Sequence, residues 1–434
     1  MHSSPWPTTA ARDAAGALTI GGVAVTELAA TYGTPLWVVD EADLRARARA
    51  YREAFPGAWV AYASKAWCTT AVLQVVAEED LWVDVASGGE LHTAAHAGVP
   101  MDRVVFHGNN KSVAELRLAA HHGVARVVVD SFDELDRLAA VHDETGHVFR
   151  VWLRITPGID AHTHDFVRTG QDDAKFGFTL SLGLADRALQ AALETPGVEV
   201  TGVHAHIGSQ IFGTDPFVAN ADVLVELLAR WRDEHGVVLP ECNLGGGMGI
   251  RYTHEDHPVE IARYGAAVRT AVAEACERHG YPPPQLAVEP GRAIVAPSTV
   301  TLYEVGTIKH LPGIRTYVSV DGGMSDNIRP ALYDAEHDVE LANRTSEHEL
   351  TAVTVVGKHC ESGDLVRERA ALPGDLVVGD LLAVAATGAY TESMASNYNR
   401  LPRPAAVMVR DGEVRVIVRR EGLDDLVARD VPLT

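Results

Sequence analysis

Four cysteines in 434 residues, scattered at Cys68, Cys242, Cys276 and Cys360, are too few and too far apart for a disulfide framework or a zinc site. A reducing cytoplasm is the simplest setting for them. Positive charge is also scarce, since 37 basic against 59 acidic residues leave a net charge of −22. That balance argues against nucleic acid as the main partner and favours solubility, but names no substrate. No apolar run approaches the roughly 20 residues of a membrane span. The first residues, MHSSPWPTTAARDAAGAL, lack a basic stretch followed by an apolar one, so no signal peptide is expected. Low-complexity linkers are missing too. What is present is 47% hydrophobic residues at a mean hydropathy near zero, the profile of a soluble globular chain. Its length suits two domains, or one barrel with a substantial addition.

From residue 59 short apolar runs alternate with helix-length amphipathic stretches. WVAYASK (59–65), LWVDVAS (81–87), RVVFHGN (103–109), RVVVDSF (126–132), FRVWLRITP (149–157), EVTGVHAHIGS (199–209), ECNLGGGM (241–248) and QLAVEPGR (285–292) read as strands. SVAELRLAAHH and SFDELDRLAAVHDE read as helices, the second with Ser131 in a capping-box position before Glu134. Eight such units predict parallel strands with crossover helices, closed into a (β/α)8 barrel over residues 41–292. After residue 293 the rhythm changes to successive strands, with a hairpin turn at Asp411-Gly412. These predict an all-β domain of residues 293–434, joined by residues 1–40, whose PLWVVD segment (35–40) pairs into it.

Four strand ends carry chemistry. Lys65 closes the first, where a barrel presents its active-site mouth. A snorkelling lysine is the bland alternative; in the chemical one, burial and nearby positive charge lower its pKa and free the amine. The glycines of GGGMG (245–249) leave backbone amides for a phosphate, or else mark tight strand–helix packing. Followed by a helix, they form a phosphate site after the seventh strand. Glu289 in EPGR either salt-bridges Arg292 or pairs with a pyridine nitrogen. His206 either serves structure or stacks on a cofactor ring. Together these are an amine, phosphate donors and a nitrogen partner, the set that pyridoxal 5'-phosphate requires. Arg292, Arg329 and Tyr333 suit a carboxylate, because the guanidinium fork binds one bidentately. Cys360, beside Glu361 in HCESGD, is an inert cysteine or a thiol able to return a proton to carbon.

The ordered set TPLWVVD, YASKA, DVASGGEL, HGNNKS, HIGSQ, GGGMG, EPGR, DGGMSDNIRPALY, CESGD and GAYTESMASNYN spans nearly the whole chain and resembles the diaminopimelate decarboxylases. These belong to the fold-type III pyridoxal phosphate enzymes, with ornithine decarboxylase and alanine racemase. The resemblance implies a TIM-like, alanine racemase-like barrel plus β domain, and a homodimer with shared active sites. It implies that Lys65 carries the cofactor and His206 stacks on its ring. Ser209, Gly246, Gly247, Gly291, Arg292 and Tyr390 hold the cofactor, while Glu289 pairs with its nitrogen. Arg292, Arg329, Tyr333, Tyr390 and Glu361 bind the substrate. Cys360, entering with Glu361 from the partner subunit, donates the proton. The implied reaction is decarboxylation of meso-diaminopimelate at its D-centre to L-lysine and carbon dioxide, without a metal. Trp67, Lys358 and His359 depart from the common pattern, the last two adding basic groups next to Cys360. A same-fold decarboxylase of ornithine, arginine or another amino acid is the nearest alternative. A racemase would need an acid–base residue opposite Lys65, and a non-catalytic cofactor-binding relative is expected to lose Cys360 or the Arg329 segment.

Overall fold

The computed structural model describes residues 4–159 and 175–433. The chain divides into two compact units, Arg47–Gly249 with Pro258–Gly291, and Met1–Ala46 with Ile250–His257 and Arg292–Thr434.

The first unit is a closed parallel barrel. Its eight strands in chain order are Trp59–Ala63, Trp82–Val85, Val104–Phe106, Arg126–Val129, Phe149–Thr156, Val198–His204, Glu241–Asn243 and Gln285–Val288. Each pairs with the next, the eighth pairs with the first through Ala287 and Trp59, and every pairing is parallel. All eight sequence-predicted strands are present. Runs such as RVVV, buried along their whole length, suit strands covered by the barrel interior on one face and helices on the other. Val105, Val128, Trp152 and Ala287 fill part of the interior, with Trp59 and Trp82 stacked beside them at 4.4 Å.

The helix Val113–His122 begins at a capping box, in which Ser112 and Glu115 satisfy each other's backbone N–H, and ends at left-handed Gly123. The capping box predicted at Ser131 does not form. Glu134 is buried and pairs instead with the equally buried Lys111 at 2.8 Å, while accepting the Asp130 N–H. An ion pair hidden from water outweighs a cap worth roughly 1 kcal/mol, because an unpaired buried charge costs more.

The second unit is built on the 13-residue strand Thr299–Leu311. Its first half lies antiparallel to Leu36–Asp40 and Leu381–Val384, its second half to Arg315–Val320. Leu36–Asp40 is therefore an interior strand, parallel on its other side to Ala405–Arg410. Asp411 and Gly412 both have positive φ, as a tight hairpin into Glu413–Val418 requires. The sequence did not announce Leu365–Pro373, which alternates buried Val366, Ala370 and Leu372 with exposed charge, or the small sheet Ala11–Arg12, Leu18–Ile20 and Val23–Ala24. Among the described residues no helix is long and apolar enough to cross a membrane.

Candidate active site

The carboxyl ends of the barrel strands bring together groups far apart in sequence. Lys65 lies in a tight turn, Ser64–Ala66, directly after the first strand. Asp84 is in the second strand, His107 just past the third, His204 at the end of the sixth and His206 two residues on. Asn243 ends the seventh, and Glu289 follows the eighth.

Glu289 is the hub. Its Oε1 accepts from His107 Nε2 at 2.7 Å and from Asn243 Nδ2 at 2.6 Å, and its Oε2 accepts from His204 Nε2 at 3.0 Å. Burial pushes this carboxyl up, but His107 and His204 beside it outweigh burial and hold it well below the usual range. It is a buried carboxylate that stays ionised. Burial drives His204 down to about 4, so it donates as a neutral imidazole, and its buried Nδ1 has no hydrogen-bond partner among the described residues. Asp84 is raised to about 6 by burial, and both Lys65 and Glu289 act on its charge. Desolvation, then Lys65, then Arg154, hold His206 well below its ordinary value. Lys65 and Glu289 thus share Asp84 and His206 as electrostatic neighbours, which puts amine and acid at the same end of the barrel. The salt bridge weighed for Glu289 with Arg292 gives way to this ring of donors.

Two expectations need correction. Lys65 is exposed, so the burial predicted to lower its pKa is not supplied by its surroundings in this chain. The glycine run does not open into a helix, because the next one begins only at Ile261, so any phosphate there relies on backbone amides rather than a helix dipole. The amides are suitably placed. Gly246 N–H reaches His206 Nδ1 at 3.4 Å, and Gly247 N–H has no acceptor among the described residues. Side chains are excluded here: a Cβ on Gly246 would lie 2.0 Å from the Glu289 carbonyl oxygen, and one on Gly247, at φ +120°, 2.4 Å from the Gly208 carbonyl oxygen. Gly246→Ala is expected to cost about 3 kcal/mol of stability through forced backbone movement, read as a lower denaturant midpoint. Ser209 is exposed after the sixth strand and Gly291 is buried after the eighth.

The second unit gathers the predicted carboxylate-binding groups. Arg292 donates to the Tyr252 hydroxyl and lies 4.7 Å over the Tyr390 ring. Arg329 is buried, 5.1 Å over Tyr252, 5.8 Å over Tyr333 and 5.9 Å over Tyr390. No carboxylate among the described residues pairs with Arg329, and its Nε is buried without an acceptor. Burial, and then Arg292, work against its charge, so an anion is the natural complement. Tyr252 and His337, which stands edge-on to Tyr252 at 4.9 Å, complete this box and were not singled out in the sequence. Tyr333 is exposed.

Cys360 and Glu361 are exposed between the strands Leu350–Val356 and Leu365–Pro373. Lys358 is exposed as well, whereas His359, the other basic group expected next to the thiol, turns inward to Asp364. Trp67 is fully buried, and its carbonyl accepts from the Tyr62 hydroxyl at 3.0 Å. His107, His204 and Glu289 are near enough to share a metal ion, although the atoms that would ligate it are already hydrogen-bonded to one another.

A family model described as "pyridoxal-dependent decarboxylase, pyridoxal binding domain" matches residues 41–296. The diaminopimelate decarboxylase of Bacillus subtilis is 49% identical over 421 residues, 96% of each chain. That of Mycobacterium bovis is 46% identical over 445 residues, 99% of each. The crystal structure of diaminopimelate decarboxylase from M. jannaschii in co-complex with L-lysine has a TM-score of 0.93 at 33% identity, covering 100% of this chain and 99% of that one. A family model over more than half of the chain and relatives at 46–49% identity over nearly its whole length show that the chain belongs to the diaminopimelate decarboxylase family of pyridoxal-dependent decarboxylases.

Proposed function

We propose that this protein decarboxylates meso-diaminopimelate at its D-centre, giving L-lysine and carbon dioxide, the last step of lysine biosynthesis, with pyridoxal 5'-phosphate as cofactor. The observation that carries the reading is the buried, ionised Glu289 at the barrel end that also bears Lys65. The donor set fits the cofactor: an amine, a glycine cradle with an unspent amide, and an anion. The chemistry that pyridoxal phosphate supplies when bound is a ring able to take up the electron pair left as carbon dioxide departs.

Lys65 supplies the amine that holds the aldehyde carbon. Glu289 keeps the ring nitrogen protonated, and the three donors around Glu289 fix its orientation. His206, kept neutral, stacks on the ring without adding charge. Gly246 and Gly247, with Ser209, Gly291 and Tyr390, hold the phosphate. Arg292, Arg329 and Tyr333 hold a substrate carboxylate. Cys360 of the partner subunit returns a proton to the carbon that lost carbon dioxide, and Glu361 of the partner subunit receives the distal amino group. The functional division is then a cofactor-binding barrel (41–292) and a β domain (1–40 and 293–434), working as a cytoplasmic homodimer. The four free thiols support a reducing compartment.

Purified protein supplied with pyridoxal phosphate should release carbon dioxide and L-lysine from meso-diaminopimelate, and neither from ornithine, arginine or L,L-diaminopimelate. Decarboxylation of ornithine or arginine in preference would overturn the substrate assignment. Arg329→Ala should raise KM for meso-diaminopimelate about a hundredfold, roughly 3 kcal/mol, as expected when the buried partner of a carboxylate is removed. An unchanged KM would remove Arg329 from the substrate site.

A further inference from the structure

We infer that His359 and Asp364 are positioning residues that lock the backbone carrying Cys360 and Glu361, and register it against the loop that leads to Arg329. This rests on the role proposed above for Cys360.

The lock is a buried carboxylate with three donors. Asp364 Oδ2 accepts the His359 N–H at 2.8 Å and His359 Nδ1 at 2.8 Å. Its Oδ1 accepts the Met324 N–H at 2.7 Å. Met324 belongs to the segment 321–328 that runs directly into the helix Arg329–Tyr333. One carboxylate therefore ties the thiol-bearing turn to the arginine-bearing one, and the Lys358 N–H to the Gly322 carbonyl (3.0 Å) is a second tie between the same loops. The chain makes room for that carboxylate. A Cβ on Gly357 would lie 2.2 Å from Asp364 Oδ2, and one on Gly323 2.4 Å from its Oδ1.

The His359 ring is wholly buried and lies parallel to Tyr398, with centroids 5.7 Å apart. The next residue along, Asn399, accepts the Cys360 N–H at 2.7 Å through its Oδ1. Cys360 is thus held on both sides, by the buried imidazole before it and by Asn399 at its own amide, while its side chain is exposed. A chain held this way offers the thiol from a fixed point, as a proton transfer needing hydrogen-bond reach demands. In that transfer the S–H proton goes to the carbon that lost carbon dioxide, and solvent reprotonates the thiolate.

The test compares His359→Phe, which keeps an aromatic ring beside Tyr398 but loses the Nδ1 donor, with His359→Asn, whose amide N–H replaces that donor. Both are assayed as holoenzymes on meso-diaminopimelate in light and heavy water. His359→Phe should lose tenfold or more in kcat with KM within about threefold, and should show a larger solvent deuterium isotope effect on kcat than the wild type, because proton delivery becomes slower. His359→Asn should recover most of kcat. Asn399→Gly, an exposed change suited to the left-handed backbone there, should show the same isotope signature and carries the comparison if His359→Phe does not fold. Wild-type kcat in His359→Phe, a fall in kcat with an unchanged isotope effect, or His359→Asn as slow as His359→Phe would each overturn the lock. A wild-type protein that releases no carbon dioxide would instead overturn the functional reading beneath it.

Discussion

Lys65→Ala is expected to abolish both covalent cofactor and decarboxylation while leaving a folded barrel. Lys65 is exposed in a short turn, and a truncation there removes little packing, so stability should change by well under 1 kcal/mol. The chain has five lysines, Lys65, Lys111, Lys175, Lys309 and Lys358. Of these, Lys111 is buried in its pair with Glu134 and hydrogen-bonds the Gly108 and Val128 carbonyls, leaving it no freedom to reach a cofactor. Lys309 and Lys358 belong to the second unit. Borohydride reduction and peptide mass analysis should find the cofactor on the peptide containing Lys65 in the wild type, and on no peptide in the variant. Cofactor reduced onto another lysine, with activity retained, would defeat the assignment.

Glu289→Gln is the second large effect, and the hydrogen bonds around Glu289 make it a clean one. A glutamine amide must donate where the carboxylate accepted. His204 can meet that demand only by moving its ring proton to Nδ1, which leaves Nε2 as an acceptor but makes Nδ1 a buried donor with no partner among the described residues. The oxygen of Gln then still accepts from His107 and Asn243. The variant should therefore fold, about 1–3 kcal/mol less stable than the wild type, and present a neutral amide to the ring nitrogen. Losing a preorganised charge of this kind typically costs about 10²–10³ in kcat, or roughly 3–4 kcal/mol. The loss should appear in kcat far more than in KM, with covalent cofactor retained. A variant that turns over at the wild-type rate would mean that Glu289 serves the hydrogen-bond network alone.

The barrel was legible in the sequence because each strand is a short β-branched or aromatic run ending in a polar or glycine-rich turn, and the eight recur at helix-length intervals. What remained hidden depended on convergence rather than spacing. Asp84, His107 and Asn243 sit within or beside visible motifs, but nothing local says that three strands bring His107 and Asn243 into hydrogen bonds with Glu289 and Asp84 within its electrostatic reach. The failed cap at Ser131 has the same origin. Glu134 reads as a capping partner three residues on, until the loop after the third barrel strand delivers Lys111 beside it. His359 read only as an extra basic group next to Cys360, for want of any local sign that Asp364 folds back onto it. In the second unit the hairpin at Asp411-Gly412 was readable from its turn chemistry, whereas Leu365–Pro373, with its exposed Glu368 and Arg369, is an outer strand whose pairing is set by its neighbour.

The most direct test of the account is the protonation state of the cofactor's ring nitrogen, read from the nitrogen chemical shift of protein reconstituted with pyridoxal phosphate labelled at that atom. A protonated nitrogen in the wild type at neutral pH and a neutral one in Glu289→Gln is the predicted pair of results. An unprotonated ring nitrogen in the wild type would contradict the claim that Lys65 and Glu289 serve a single cofactor.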